Sequence, residues 1–239
     1  MIQNGAATVK RFYKLVTTDK TAEGCTVLLD GRSLKTKAKK SILVPTEALA
    51  IAIAEEWQKQ GEEIDPLSMP IMTLASTAID LVEGNEATKI KEISRYAETD
   101  LICYYAEGPE DLVNRQRAAW EPLHSWSKDV LAAPLETTDS IIAVPQKKKT
   151  LERLSQEVQS MNHWQIAAMQ ELVSLSGSLV VALALNMGRL KADQAIEATQ
   201  IEENFQAEKW GVDEEEAAAR EQKSQDLRSA VNFLLLLGK

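Results

Sequence analysis

Two adjacent carboxylates, Glu202 and Glu203, lie shortly before Trp210, Gly211 and Asp213. Carboxylates in unequal environments can divide the roles of proton donor and acceptor, so Glu202, Glu203 and Asp213 form the candidate set for an acid/base hydrolase. The same groups can instead anchor a basic partner surface, with Trp210 as an aromatic contact. At about 100° per residue, Ile201 and Phe205 share one face of a helix, while Glu203 and Trp210 fall together on roughly the opposite one. A helix whose core face is supplied by Ile201 and Phe205 needs no second large aromatic across from it. Trp210 therefore packs against another element or meets a partner.

The spacing disfavours proton transfer. Neighbouring residues point about 100° apart on a helix, and Asp213 lies beyond the expected helix stop at Gly211. Asp213 with Glu216 also forms an N-terminal capping pattern for the next helix, and the run 214–216 supplies favourable negative charge there. The plainest alternative makes Glu202 and Glu203 surface helix formers paired with a residue such as Lys209.

The elements that must position this stretch divide the chain in two. Residues 10–16 and 25–29 are rich in β-branched or aromatic residues and read as strands, with Asp30-Gly31 as a tight turn into a return strand over 33–36 and a further strand at 41–44. Thr46 is placed to cap a helix whose buried stripe is Leu49, Ile53 and Trp57 and whose left-handed stop is Gly61. A second helix runs through Leu74 and Ile79 to about Val82. These patterns predict an α+β fold: a small strand-rich N-terminal domain over 1–85, bounded at Gly84-Asn85, followed by a larger all-α domain over 86–239. Helices are expected over 87–102, from Pro109 with a kink or fresh start near Glu121 because of Pro122, and over 151–160, 163–188, 191–210 and 213–237.

Several chemistries lack their residues. A net charge of -9 over 239 residues argues against nucleic-acid binding. The basic run 147–149 reads as a solvated helix start. Neither nucleotide-binding glycine fingerprint is present, so no nucleotide and no cofactor is expected. His124 and His163 lack metal-ligand spacing, and Cys25 and Cys103 form no C-x-x-C, so no metal is expected and the cysteines read as small buried hydrophobes in a reducing compartment. The N-terminal residues 1–8 carry no apolar signal core. The most apolar stretch, 172–187, is too short and too often interrupted to span a bilayer, and reads as a central helix buried all round. Trp57, Trp120, Trp126 and Trp164 have apolar helical neighbours and read as core.

A set of short blocks then runs the length of the chain in order. They include Arg11-Phe12-Tyr13-Lys14, Leu29-Asp30-Gly31-Arg32-Ser33-Leu34-Lys35-Thr36, Ala54-Glu55-Glu56-Trp57-Gln58-Lys59-Gln60 and Tyr96-Ala97-Glu98-Thr99-Asp100-Leu101-Ile102-Cys103-Tyr104. Arg115-Gln116, Trp120-Glu121-Pro122-Leu123, Ser176-Gly177-Ser178-Leu179 and Glu202-Glu203-Asn204-Phe205-Gln206 with Trp210-Gly211 continue the series. Together they resemble the chaperones that assist assembly of the catalytic head of the F-type ATP synthase by holding its free alpha subunit. Lys37, Ser76 and Tyr105 depart from that pattern, where proline, asparagine and arginine are expected. The resemblance implies a small α+β domain followed by a helical one, a non-enzymatic role, the alpha subunit as partner, and a location in the bacterial cytoplasm or the mitochondrial matrix. It also makes Glu202 the first anchor, whereas helical geometry favours Glu203.

Overall fold

The computed structural model describes residues 9–140 and 142–238, so the expectation for residues 1–8 lies outside it. The fold is a small strand-bearing layer followed by a helical bulk, as the sequence pattern predicts. Strand β3 (Cys25–Leu29) is the centre of the four-stranded sheet. One of its edges pairs antiparallel with β2 (Val16–Lys20); the other takes β4 (Arg32–Ser33) at one end and β5 (Leu43–Val44) at the other. A second, two-stranded pair joins β1 (Val9–Lys10) to β6 (Glu63–Ile64).

The tight turn at Asp30 and Gly31 forms with φ of 48° and 78°, but the strand expected over 10–16 is broken. The Asp30 carboxylate accepts hydrogen bonds from the amides of Lys14 and Leu15, while the Tyr13 hydroxyl donates to the Trp57 carbonyl at 2.6 Å. Those contacts take residues 13–15 out of a ladder, and pairing resumes at Val16. The backbone hydrogen bonds to Leu15 and Lys14 also hold the Asp30 carboxyl below the usual carboxylate range.

Helix α1 (Glu47–Gln58) starts as expected, with the Thr46 side chain accepting from the Leu49 amide. Leu49, Ile53 and Trp57 are all buried against the sheet. Gly61 is not its stop, because the helix closes at Lys59 and Gly61 has no positive φ. The buried side chain of Gln60 closes the turn instead, donating to the Glu56 carbonyl and Ser68 Oγ and accepting from the Asp65 amide. Glu56 then caps α2 (Pro70–Thr77) by accepting from the Ile71 and Met72 amides. A π-helical turn (Ala78–Val82) leads to Gly84 and α3 (Glu86–Ser94).

Two 3-10 segments, Arg95–Thr99 and Leu101–Cys103, replace the rest of the helix expected over 87–102. Helix α4 (Glu110–Val130) runs through Pro122 without a fresh start. Its buried residues Leu112, Gln116, Trp120, Leu123 and Ser127 keep helical spacing on both sides of the proline, so packing overrides the local cost. After α5 (Lys148–Gln159), the helix expected over 163–188 is two, α6 (His163–Ser176) and α7 (Leu179–Asn186).

The break between them is built around a buried acid. Gly177 takes φ 68°, and the Leu101 amide donates to its carbonyl at 3.0 Å. Ser178 caps α7 through the Val181 amide, while the Asp100 carboxylate accepts from Val180 and Ile102. Burial pushes the Asp100 carboxyl up to about 6 despite these donors. Every residue of α7 is buried, but the expected all-round burial over 172–187 holds for that half only, since the helix is interrupted and Ser174 and Met187 are exposed.

The helix expected over 191–210 is likewise two, α8 (Ala192–Thr199) and α9 (Ile201–Trp210), before the long α10 (Glu214–Leu236). Helix α10 packs against α1 and α2 as well as α6, α7 and α8. Buried apolar side chains from Tyr13 to Leu234 form one cluster across the sheet layer and the helices. No helix among the described residues is long and apolar enough to cross a membrane.

Candidate functional site

Helix α9 lies between α4 and α10, fixed on its inner face by Ile201 and Phe205, which are buried. The corner before it is pinned from below: Trp120 Nε1 donates to the Ala198 carbonyl at 2.7 Å, and Gln200 Nε2 to Ser224 Oγ at 3.2 Å. On the α4 side, Arg115 makes a two-pronged pair with the Glu208 carboxylate, both contacts 2.8 Å. Its guanidinium also lies 5.4 Å from the centre of the Phe205 ring, with the Lys209 ammonium 5.3 Å from the same ring. The hydrogen-bonded pairing with Arg115 holds the Glu208 carboxyl below its usual range. On the α10 side, Arg220 donates to Asn204. These contacts line a cleft of about 530 Å³ with Arg115, Glu197, Ile201, Asn204, Ala207, Glu208 and Arg220.

The structure separates the two candidate glutamates. Glu202 is exposed, yet its Oε1 accepts from Nε2 of the fully buried Gln116 at 2.9 Å. Gln116 in turn accepts from the Ala106 amide at 2.8 Å, so Glu202 completes a chain of polar contacts from the interior of α4 to the surface. Glu203, on the face away from the Ile201 and Phe205 stripe, is half-buried. Lys209 lies over Phe205 and pairs with neither glutamate. Asp213 caps α10 as expected, its Oδ1 accepting from the Glu216 amide at 2.8 Å, and Gly211 ends α9 with φ 78°. The cleft beside α9 is lined by none of Glu202, Glu203 and Asp213.

Trp210 does not pack against another element; it is 78% exposed at the last position of α9. Val212, just past Gly211, is 42% exposed, and acidic residues of α9 and of the first turn of α10 stand on either side of this stretch in the chain. Trp57, Trp120 and Trp164 are buried and Trp126 is half-buried. Both histidines do structural work: His124 Nε2 bonds the Ile102 carbonyl at 2.9 Å, and His163 packs on Trp164. The contributions of Arg115, Gln116 and Glu208 were not singled out as site residues from the sequence. Arg115-Gln116 was visible there only as a block of the family resemblance, because their partners lie 93 and 86 residues away.

Glu202, Glu203 and Asp213 thus do not converge on that cleft, and Trp210 stands exposed at the end of α9. The family model of the ATP12 chaperone protein matches residues 10–128. The mitochondrial ATP12 protein of Schizosaccharomyces pombe is 30% identical over 96% of this chain and 82% of its own length. Among solved structures, ATP12 of Paracoccus denitrificans is 41% identical, with a TM-score of 0.90 over 95% of this chain and 98% of that one. A candidate chaperone from Agrobacterium tumefaciens is 35% identical, with a TM-score of 0.91 over 96% of this chain and 87% of that one. The chain belongs to the ATP12 chaperone family, whose role is in ATP synthase assembly.

Proposed function

We propose that this protein holds the unassembled alpha subunit of the F-type ATP synthase catalytic head until the true partner subunit displaces it. The observation that carries the reading is the likeness to ATP12 proteins over nearly the whole chain. An unassembled ring subunit exposes an apolar interface that drives aggregation, and a holder must cover that surface yet release it. Affinity then comes from a modest interface with a few anchors rather than an extensive obligate one.

The edge of α9 supplies such anchors. Trp210 is the exposed aromatic, and Glu202 and Glu203, about two turns earlier on the same helix, are carboxylates that suit basic or donor-rich groups on the client. Glu202 is the better-positioned of the two, because Gln116 fixes its rotamer before the client arrives. The net charge of -9 favours steering toward a basic client surface. The working site is the bacterial cytoplasm, or the mitochondrial matrix in an organellar form.

Light scattering of alpha subunit during refolding, with and without this protein and in the absence of nucleotide, tests the reading. Suppressed aggregation without ATP is the expected result. Aggregation that proceeds undiminished at excess chaperone would remove the proposed role.

A further inference from the structure

A second surface lies on the other side of α10 from this edge. At about 1.5 Å per residue, the thirteen steps from the Asp213 cap to Asp226 span roughly 20 Å along the helix axis. There α10, α6 and α2 enclose a groove of about 370 Å³. Its lips are aliphatic: Leu67 is 91% exposed and Leu81 59% exposed, with Pro66 and Pro70 beside them. Its far wall is acidic, carrying Glu171 of α6 and Asp226 of α10.

The polar groups of the groove are unbalanced in one direction. Among the described residues, no lysine or arginine lines it, and Asp226 accepts from the Gln222 amide group of its own helix. Gln170, a further lining residue, has its Oε1 buried without a hydrogen-bond partner. Burial first, and then the Asp226 charge, push the Glu171 carboxyl above its usual range. Two carboxylates between aliphatic lips are complementary to a positively charged donor on an apolar stem. A lysine or arginine set among aliphatic residues has that form, since its methylenes cover the lips while its head reaches the acids.

We infer that this groove is a second docking surface for client polypeptide, taking an aliphatic segment that carries a single lysine or arginine whose charged head meets Glu171 and Asp226. The inference needs a chaperone that binds polypeptide but does not depend on the client being the alpha subunit. With Trp210 just before the Asp213 cap, about 20 Å from Asp226 along α10, one client can engage both surfaces, so each contact can be weak and the pair still selective.

The test uses the full chain and two probes. The first is a fluorescently labelled short peptide of leucine and alanine with one central arginine, compared with the same peptide carrying glutamate in its place. Anisotropy is expected to show binding of the arginine peptide, at least about tenfold weaker binding of the glutamate peptide, and a similar loss with the double variant Glu171→Gln, Asp226→Asn. Leu67→Ser with Leu81→Ser is expected to weaken both peptides alike. The carboxylate variants relieve a like-charge contact, so their melting temperature should not fall, which separates lost binding from lost folding. Equal binding of the two peptides, or an arginine peptide indifferent to the carboxylate variants, overturns the inference. The second probe is the alpha subunit: a groove that selects the arginine peptide in a protein with no affinity for alpha subunit leaves the docking surface standing and removes the proposed client instead.

Discussion

Two helices of this molecule carry a tryptophan at their C-terminal end, and the two side chains meet opposite fates. Trp57, next to last in α1, is 9% exposed; Trp210, last in α9, is 78% exposed. The difference is one of phase. Trp57 follows Ile53 and Leu49 at intervals of four and so continues the stripe that faces the sheet, where its ring meets Tyr13 edge-on at 5.5 Å. Trp210 follows Phe205 by five, which turns it about 140° away from the buried stripe of its helix. A residue in phase with a core stripe serves the fold. One out of phase and left bare at a helix end is free to serve a partner.

The sharpest way to break that contrast is to disrupt the in-phase member. Trp57→Ala should cost about 3 to 5 kcal/mol, and Trp57→Arg more, since it adds an unpaired charge to the core. Trp57→Phe should cost much less, because the buried indole Nε1 has no hydrogen-bond partner to lose. Thermal melts of the three should order them Phe, Ala, Arg. A Trp57→Arg protein that melts at the wild-type temperature would end the structural assignment.

The next effect comes from Asp100, the buried acid joining the Leu101–Cys103 segment to α7. Burial raises its folded-state carboxyl from 3.8 to about 6, so between those values the folded protein holds a proton that the unfolded chain has released. Its contribution to stability is therefore fully present below pH 3.8 and lost as pH rises through 6, by about 3 kcal/mol in all. Asp100→Asn should lower stability below pH 3.8, through a lost amide contact, and should flatten this part of the profile, so that its deficit against wild type shrinks as pH rises through 6. Urea titrations of wild type and variant at intervals across the window read the difference directly. Parallel profiles for the two proteins would assign the slope to other groups.

Smaller again is the link between interior and edge. Gln116→Leu leaves the Ala106 amide without its acceptor and should cost about 1 to 3 kcal/mol. It also releases Glu202, so affinity for alpha subunit should fall although the α9 surface residues are unchanged. Full affinity in this variant would show that the fixed rotamer of Glu202 does not contribute to binding.

The smallest change in stability is expected at the out-of-phase end. Trp210→Ala and Glu203→Lys should leave the melt within about 0.5 kcal/mol of wild type, and Glu202→Lys slightly more affected because Gln116 loses its acceptor. Affinity for alpha subunit should drop by about 2 to 5 kcal/mol for a desolvated contact at each carboxylate. Reversal variants that fold and bind like wild type would exclude the pair from the site.

Much of this contrast was legible in the sequence because it rests on local phase. The Leu49, Ile53 and Trp57 stripe, the Thr46 and Asp213 caps, the Asp30-Gly31 turn and the Gly211 stop all depend on residues within a few positions of one another. The breaks were not legible where their causes are distant. The helix over 163–188 is interrupted at Gly177 and Ser178 with help from Asp100, far back in the chain, and the early strand is broken by Asp30 and Trp57. Of the kink or fresh start expected at Pro122, the fresh start does not occur, since a well-packed face carries the helix through it. At the site, the glutamates and Trp210 could be named, but the support from Arg115 and Gln116 needed the fold to bring α4 against α9.

The contact between Thr46 and Leu236 has a consequence for synthesis. The hydroxyl that caps α1 also donates to the Leu236 carbonyl at 2.5 Å, tying the first helix to the last turn of α10. A growing chain therefore cannot finish its N-terminal layer when that layer leaves the ribosome; α1 and α2 must wait for almost the whole remaining polypeptide before α10 covers them. During that interval the nascent chain bears uncovered apolar surface of its own, the same hazard that a subunit meets while it waits for its neighbour.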